Sequence, residues 1–244
     1  MEHEIDMKVN RILFFVIIIF LTLPITSLAS IDLLAQYCLI QNNWKKLFSK
    51  NGITVYFQKS PESDVLALKA SGILKAPMDK VMEVLRKVEI SNEWIPHIDT
   101  KITVKDLSDL EAITYSVNML PWPLADRSLL LHNKLRLDRE KKYLVIDIHS
   151  VDFETNPIKE DRVRANLYCG QTLMRPVGKG ETEIELILFV DPRGHIPTWL
   201  VNMAQKSIPY NFLRALEEKA SRTNYELRPS FKKMLDQLLV LQKY

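Results

Sequence analysis

Asp191-Pro192-Arg193-Gly194-His195-Ile196-Pro197-Thr198-Trp199-Leu200-Val201-Asn202 marks the place where a strand stops, a turn forms and a long helix begins. In the preceding Glu183-Ile184-Glu185-Leu186-Ile187-Leu188-Phe189-Val190, the residues Ile184, Leu186, Leu188 and Val190 alternate with the others, the period of a half-buried strand. Pro192 and Gly194 interrupt that pattern. From Pro197 onward, Val201, Ala204, Ile208, Phe212 and Leu216 recur at helical spacing and predict a single apolar stripe. A sheet closed by a C-terminal helix follows.

Working outward, residues 31–49 read as a helix that ends at Lys50-Asn51-Gly52, a turn signal, and hands over to a strand at 53–59. A second strand covers 65–74, and Pro77 suits the first turn of a helix whose stripe is Val81, Val84, Leu85 and Val88. Beyond Trp94 the pattern predicts strands at 101–107, 112–119, 127–138, 143–151, 163–175 and 182–190, separated by turns such as Ser108-Asp109, Arg139-Glu140-Lys141 and Gly178-Lys179-Gly180. Strands bracketed by helices imply an α+β architecture with the helices on one face of an antiparallel sheet. Pro229 opens a further amphipathic stretch, with Phe231, Leu235, Leu238 and Leu239 opposite Lys232, Lys233 and Asp236. Such a helix docks on its own domain, lies on a membrane surface or meets a partner.

The turn around Asp191, together with Met119-Leu120-Pro121-Trp122-Pro123-Leu124-Ala125-Asp126-Arg127, resembles the START family of lipid-transfer domains, named after steroidogenic acute regulatory protein. Glu93-Trp94-Ile95-Pro96 and Leu213-Arg214 extend the match, which runs from Leu33 to Arg222 in the order the family uses; Ser128 stands where many relatives carry an acidic residue. The resemblance implies a helix-grip fold, a curved antiparallel sheet wrapped around a long C-terminal helix with an apolar cavity between them. It also implies binding, and transfer, of a hydrophobic small molecule, lipid or sterol-like, with no cofactor and no metal.

A chain of 244 residues, 47% of them hydrophobic, can bury one sizeable core, so a single domain with extensions fits: a leader at 1–29, the domain at 30–222 and the helical extension at 223–244. The formal charge of +3, with bases and acids interleaved, offers no basic stripe and argues against nucleic acid. A monomer that touches membrane surfaces transiently is expected. The apolar run at 12–25 is short for a membrane span and suited to the core of a secretory signal, with Ser27-Leu28-Ala29 as the cleavage site. Glu2, Glu4 and Asp6 precede that run, an objection that disappears if translation starts at Met7; the alternative is an uncleaved membrane tether. Export to the periplasm or outside the cell would place Cys38 and Cys169 in an oxidising compartment, although the expectation is two buried free thiols.

Nucleotide and hydrolase signatures are absent: no Gly-x-Gly-x-x-Gly, Gly-x-Ser-x-Gly, His-Glu-x-x-His or Cys-x-x-Cys occurs, and the five histidines are scattered. No catalytic residue is assigned. The candidate ligand-binding residues are Tyr115, Val117 and Met119 on one face of a strand, Trp122 and Trp199 at a cavity mouth, and Leu200, Met203, Ala204, Ile208 and Phe212 on the helix. Arg127 completes the set; pointing inward it needs a carboxylate or ligand oxygen, and pointing outward it is a solvated strand end. The same face packs solid or leaves a chamber, and only the resemblance favours the chamber. Two other readings stand beside lipid binding: an aromatase or cyclase of the helix-grip superfamily, and a periplasmic interaction module without a lipid.

Overall fold

The computed structural model describes residues 43–60, 63–120, 122–152, 162–178 and 180–243. Ten strands and five α-helices follow in the order β1 (Lys45–Lys50), β2 (Ile53–Ser60), β3 (Ser63–Leu74), α1 (Met78–Arg86), α2 (Ser91–Trp94), β4 (Ile98–Ser108), β5 (Glu111–Asn118), β6 (Arg127–Asp138), β7 (Tyr143–Ser150), β8 (Val163–Arg164), β9 (Asn166–Val177), β10 (Glu181–Asp191), α3 (Thr198–Gln205), α4 (Ile208–Ser221) and α5 (Pro229–Gln242). The strands form one sheet in the order β1-β2-β3-β10-β9-β7-β6-β5-β4, and β8 adds a short parallel pairing to β6. This is the curved antiparallel sheet with C-terminal helices that the resemblance implies. The proposed leader, and Cys38, lie outside the described residues.

Register decides which side chains meet the helices, because directly paired residues project from the same face. Starting at Ile184, the pairing runs through Met174, Leu144 and Leu137 in one direction and to Gly72 and Ile53 in the other. Against this inner face α1, α4 and α5 bury Val81, Leu213, Leu216, Phe231 and Leu238. Leu74, Leu144, Ile184, Leu213 and Leu216 are each 0% exposed, and each such side chain stabilises the fold by about 1.5–3 kcal/mol relative to exposure. α5 is tied to α1 as well: the Lys80 ammonium donates to the Tyr225 carbonyl at 2.5 Å, and the Arg228 N–H donates to the buried Glu83 carboxylate at 2.9 Å.

Three local expectations change. Residues 45–49 belong to a strand, because Asn51 and Gly52, at φ 49° and 77°, make a two-residue hairpin turn whose twist pairs β1 with β2. The helical run after Pro197 is interrupted at Lys206-Ser207 and yields α3 and then the longer α4. Pro209 supplies the reason: it has no N–H, and its ring collides with the carbonyl four residues earlier, that of Gln205, where α3 ends. Cys169, buried on β9, is disulfide-bonded rather than a free thiol.

Candidate functional site

The break before Pro209 resets the helical phase, so the stripe predicted across it divides. Val201 stays buried against Val65, Ala67, Ile187 and Phe189, and Leu216 sits in the main core, whereas Ala204 and Ile208 turn to solvent. α3 is held on the β3 and β10 side by amide side chains. Asn202 accepts the Leu66 N–H at 2.9 Å and donates to the Asp64 carbonyl at 2.9 Å; Gln205 donates to the Val190 carbonyl at 3.1 Å. Sequence reasoning missed both residues, which occupy the polar flank of an amphipathic pattern.

On β5 the alternation is as predicted but its sense is reversed. Thr114 pairs with Leu131 and Ser116 with Leu129, and those leucines share the face of Ile146 and Leu186 that the helices cover. Tyr115 and Val117 therefore project from the opposite face, where they pack with Ile113 and Leu130. The reason is that the inner face here is polar in part. Asn133 donates to the Thr114 hydroxyl at 3.0 Å and to the Leu131 carbonyl at 3.0 Å, and Thr114 and Ser116 are buried.

The inner face changes character along its length. Leu74, Leu144, Met174 and Ile184 are fully buried beneath α1, α4 and α5; Leu137, Ile146, Leu188 and Phe212 are half-buried against the same core, the Phe212 ring lying 5.3 Å from Trp94, and Leu129, Leu131 and Ile148 are half-buried outside it. Leu200 is also half-buried, while Met119 and Met203 are exposed. Trp122 is 92% exposed and Trp199 68% exposed, so neither plugs a core. Two surface clefts lie elsewhere, one lined by Glu83, Lys87 and Arg228 and one by Glu93, Lys219 and Arg222, and neither includes any of the predicted site residues.

Arg127 resolves inward, 5% exposed, and its partners are main-chain oxygens. Its Nε donates to the Pro192 carbonyl at 2.8 Å, Nη2 to the Arg193 carbonyl at 3.0 Å, and Nη1 to the Ala125 carbonyl. Burial pushes the guanidinium pKa down and the neighbouring Asp126 charge opposes that shift. The acceptor turn is shaped for it: Arg193 and Gly194 adopt φ 51° and 76°, the Arg193 N–H caps on Asp191 at 2.8 Å, and a Cβ at Gly194 would lie 3.1 Å from Nη2. Asp126 in turn accepts the Leu120 N–H at 3.1 Å. One arginine thus ties the segment carrying Met119 and Trp122 to the turn that launches α3.

The START domain profile matches residues 29–224, most of the chain. The chain belongs to the START domain family. Among START relatives, an uncharacterized protein of Pseudomonas aeruginosa is 25% identical over 183 residues, covering 75% of this chain and 89% of its own. The phosphatidylcholine transfer protein of Mus musculus is 26% identical over 176 residues, covering 70% and 81%. Among solved structures, a fragment of the STAR-related lipid transfer protein of Xanthomonas axonopodis superposes with a TM-score of 0.65 at 25% identity, covering 72% of this chain and 98% of that one. Human StAR-related lipid transfer protein 5, at 15% identity, shares the fold with a TM-score of 0.67 over 79% and 93% of the two chains. α4 is the longer of the two helices after β10 and packs Leu213 and Leu216 on the sheet, and Arg127 joins the segment after β5 to the turn before α3. Among the described residues no group of three or more His, Cys, Asp or Glu side chains is placed to hold a metal ion.

Proposed function

We propose that this protein binds a lipid against the half-buried part of the inner sheet face, and carries it between membranes. The observation that carries the reading is the contrast within one sheet face: a packed core around Leu144, Met174 and Ile184 where α1, α4 and α5 cover it, and Leu129, Leu131 and Ile148 half-buried outside that core. Interiors normally fill to crystal-like density, so apolar side chains left half-covered are suited to a ligand that completes the packing. An acyl chain gains about 0.8 kcal/mol per buried methylene there. The names of its relatives, a phosphatidylcholine transfer protein and a STAR-related lipid transfer protein, agree with this class of ligand.

Trp122, Trp199, Met203 and Ile208 extend this reading to the route of uptake. Exposed apolar side chains on the two segments joined by Arg127, with Arg193 and Lys206 beside them, fit transient contact with a bilayer surface. The protein works as a monomer and reaches its membranes after export, with residues 1–29 as the leader; N-terminal sequencing of the exported protein is expected to begin at Ser30. Lipid binding itself is tested by native mass spectrometry and lipid extraction of protein purified from its own source, with vesicle-to-vesicle transfer of a fluorescent lipid as the second assay. A protein that carries no lipid and transfers none refutes the proposal.

A further inference from the structure

Lys101 is the one lysine that register turns toward the open part of the inner face among the described residues of β4 and β5. It pairs with Ser116, and Ser116 pairs with Leu129, so all three lie in one row on the inner face; the flanking row is Thr103, Thr114 and Leu131. Its neighbour Ile102 pairs with Tyr115 and points the other way, into solvent. Lys101 makes no ion pair and no side-chain hydrogen bond with any described residue. Its side chain is partly covered by protein. The amine pKa is lowered to about 8, and desolvation is the cause.

An unpaired, desolvated cation beside Ser116 costs stability. The missing counter-charge fits a ligand. We propose that Lys101 is the head-group recognition residue of the lipid site, and that the lipid it selects carries an oxyanion, a carboxylate or a phosphate, at the end of its acyl portion. The Ser116 hydroxyl, directly opposite Lys101 in the register, lies in position to supply a further hydrogen bond to that oxyanion. This rests on the lipid-binding reading above and narrows it from any apolar ligand to acidic lipids.

The test compares four fluorescent lipids with the same acyl chain, a free fatty acid, a phosphatidic acid, a phosphatidylcholine and a diacylglycerol, against the full mature chain and its Lys101→Met and Lys101→Arg variants. The wild type is expected to bind at least one of the two acidic lipids about tenfold or more tighter than the diacylglycerol, the scale of one charge-assisted hydrogen bond. Which acidic lipid wins separates a carboxylate site from a phosphate site. Lys101→Met should erase that preference and leave diacylglycerol binding within about twofold, while its melting temperature stays equal or rises because an unpaired charge has gone; Lys101→Arg should keep the preference. Equal binding of all four lipids by the wild type, or an unchanged preference in Lys101→Met, overturns the role of Lys101 while leaving lipid binding intact. Equal loss of all four lipids in Lys101→Met overturns it too, since that marks a structural lysine. Failure of the wild type to bind any of them overturns the lipid reading and this inference together.

Discussion

Replacing Arg127 by Met keeps most of the stem volume and deletes the guanidinium, and so measures what ties the Trp122 segment to the turn before α3. Three carbonyl oxygens, those of Ala125, Pro192 and Arg193, lose their donor. Hydrogen bonds from a charged donor contribute about 1.5–3 kcal/mol each, but the Arg193 end of the turn is exposed and water replaces part of that loss, and the variant no longer buries a cation. The net cost is expected to be about 2–4 kcal/mol, which for a domain of this size lowers the melting temperature by roughly 5–15 °C. The ammonium of a lysine in its place cannot reach two carbonyls in a fixed fork, so Arg127→Lys should recover only part of the loss. Urea titrations and thermal scans on the three proteins read the cost. Curves for Arg127→Met that overlay the wild type would refute the argument and make the arginine's contacts energetically idle.

Gly194→Ala should reproduce part of that phenotype, about 1–2 kcal/mol, because it places a Cβ on a residue at φ 76° and against Arg127 Nη2; in a double-mutant cycle with Arg127→Met the two losses should be less than additive. Ala204→Trp, which would fill a chamber if Ala204 faced the sheet, should change stability by less than about 0.5 kcal/mol and leave lipid uptake unaltered, since Ala204 is exposed; a large loss of uptake would contradict its placement. Asn202→Ala removes two of the three bonds that dock α3, so vesicle-to-vesicle transfer should accelerate while the melting temperature falls by only a few degrees; slower transfer would mean that α3 is not the element that opens. Lys101 has a folded pKa of about 8, below its unfolded value, so the unfolded chain binds more protons between that value and the unfolded one; the penalty is complete at pH 7 and disappears as pH rises through this window. The stability gained by Lys101→Met should therefore be largest at pH 7 and shrink toward pH 10 in paired urea titrations.

Most strands were legible because a sheet with one covered face writes its period into the sequence: the strand expected at 127–138 is β6, and that expected at 182–190 lies within β10. The N-terminal strand was hidden by reading Asn51-Gly52 as the end of a helix, although an Asn-Gly pair is also the strongest two-residue hairpin signal. The break between α3 and α4 was legible in Pro209, which the apolar stripe outweighed. The site was the least legible part. Apolar patterning picks the face of β5 with Ile113, Tyr115 and Val117, whereas the inner face carries Thr114 and Ser116, buried polar side chains that a hydrophobic pattern does not mark, Thr114 satisfied by Asn133. Lys101 left no signal at all, since a lysine on a strand with Lys105 and Asp106 reads as solvated until register turns it inward.

The two helices that follow β10 differ in how firmly they are held. α4 cannot leave the sheet without exposing Leu213, Leu216 and Ala220, and the cavity left by even one lost leucine side chain costs about 2–5 kcal/mol. α3 is attached by Val201 and by three side-chain hydrogen bonds from Asn202 and Gln205, worth about 0.5–1.5 kcal/mol each, while Trp199 and Met203 already face solvent. Its release is therefore several-fold cheaper than release of α4, and the two processes are uncoupled by the turn at Lys206-Ser207. Pro209 enforces that turn. A continuous helix would extend the grip of Leu213 and Leu216 to residue 198, so the interruption is what lets α3 be held, and released, independently of the helix that completes the core.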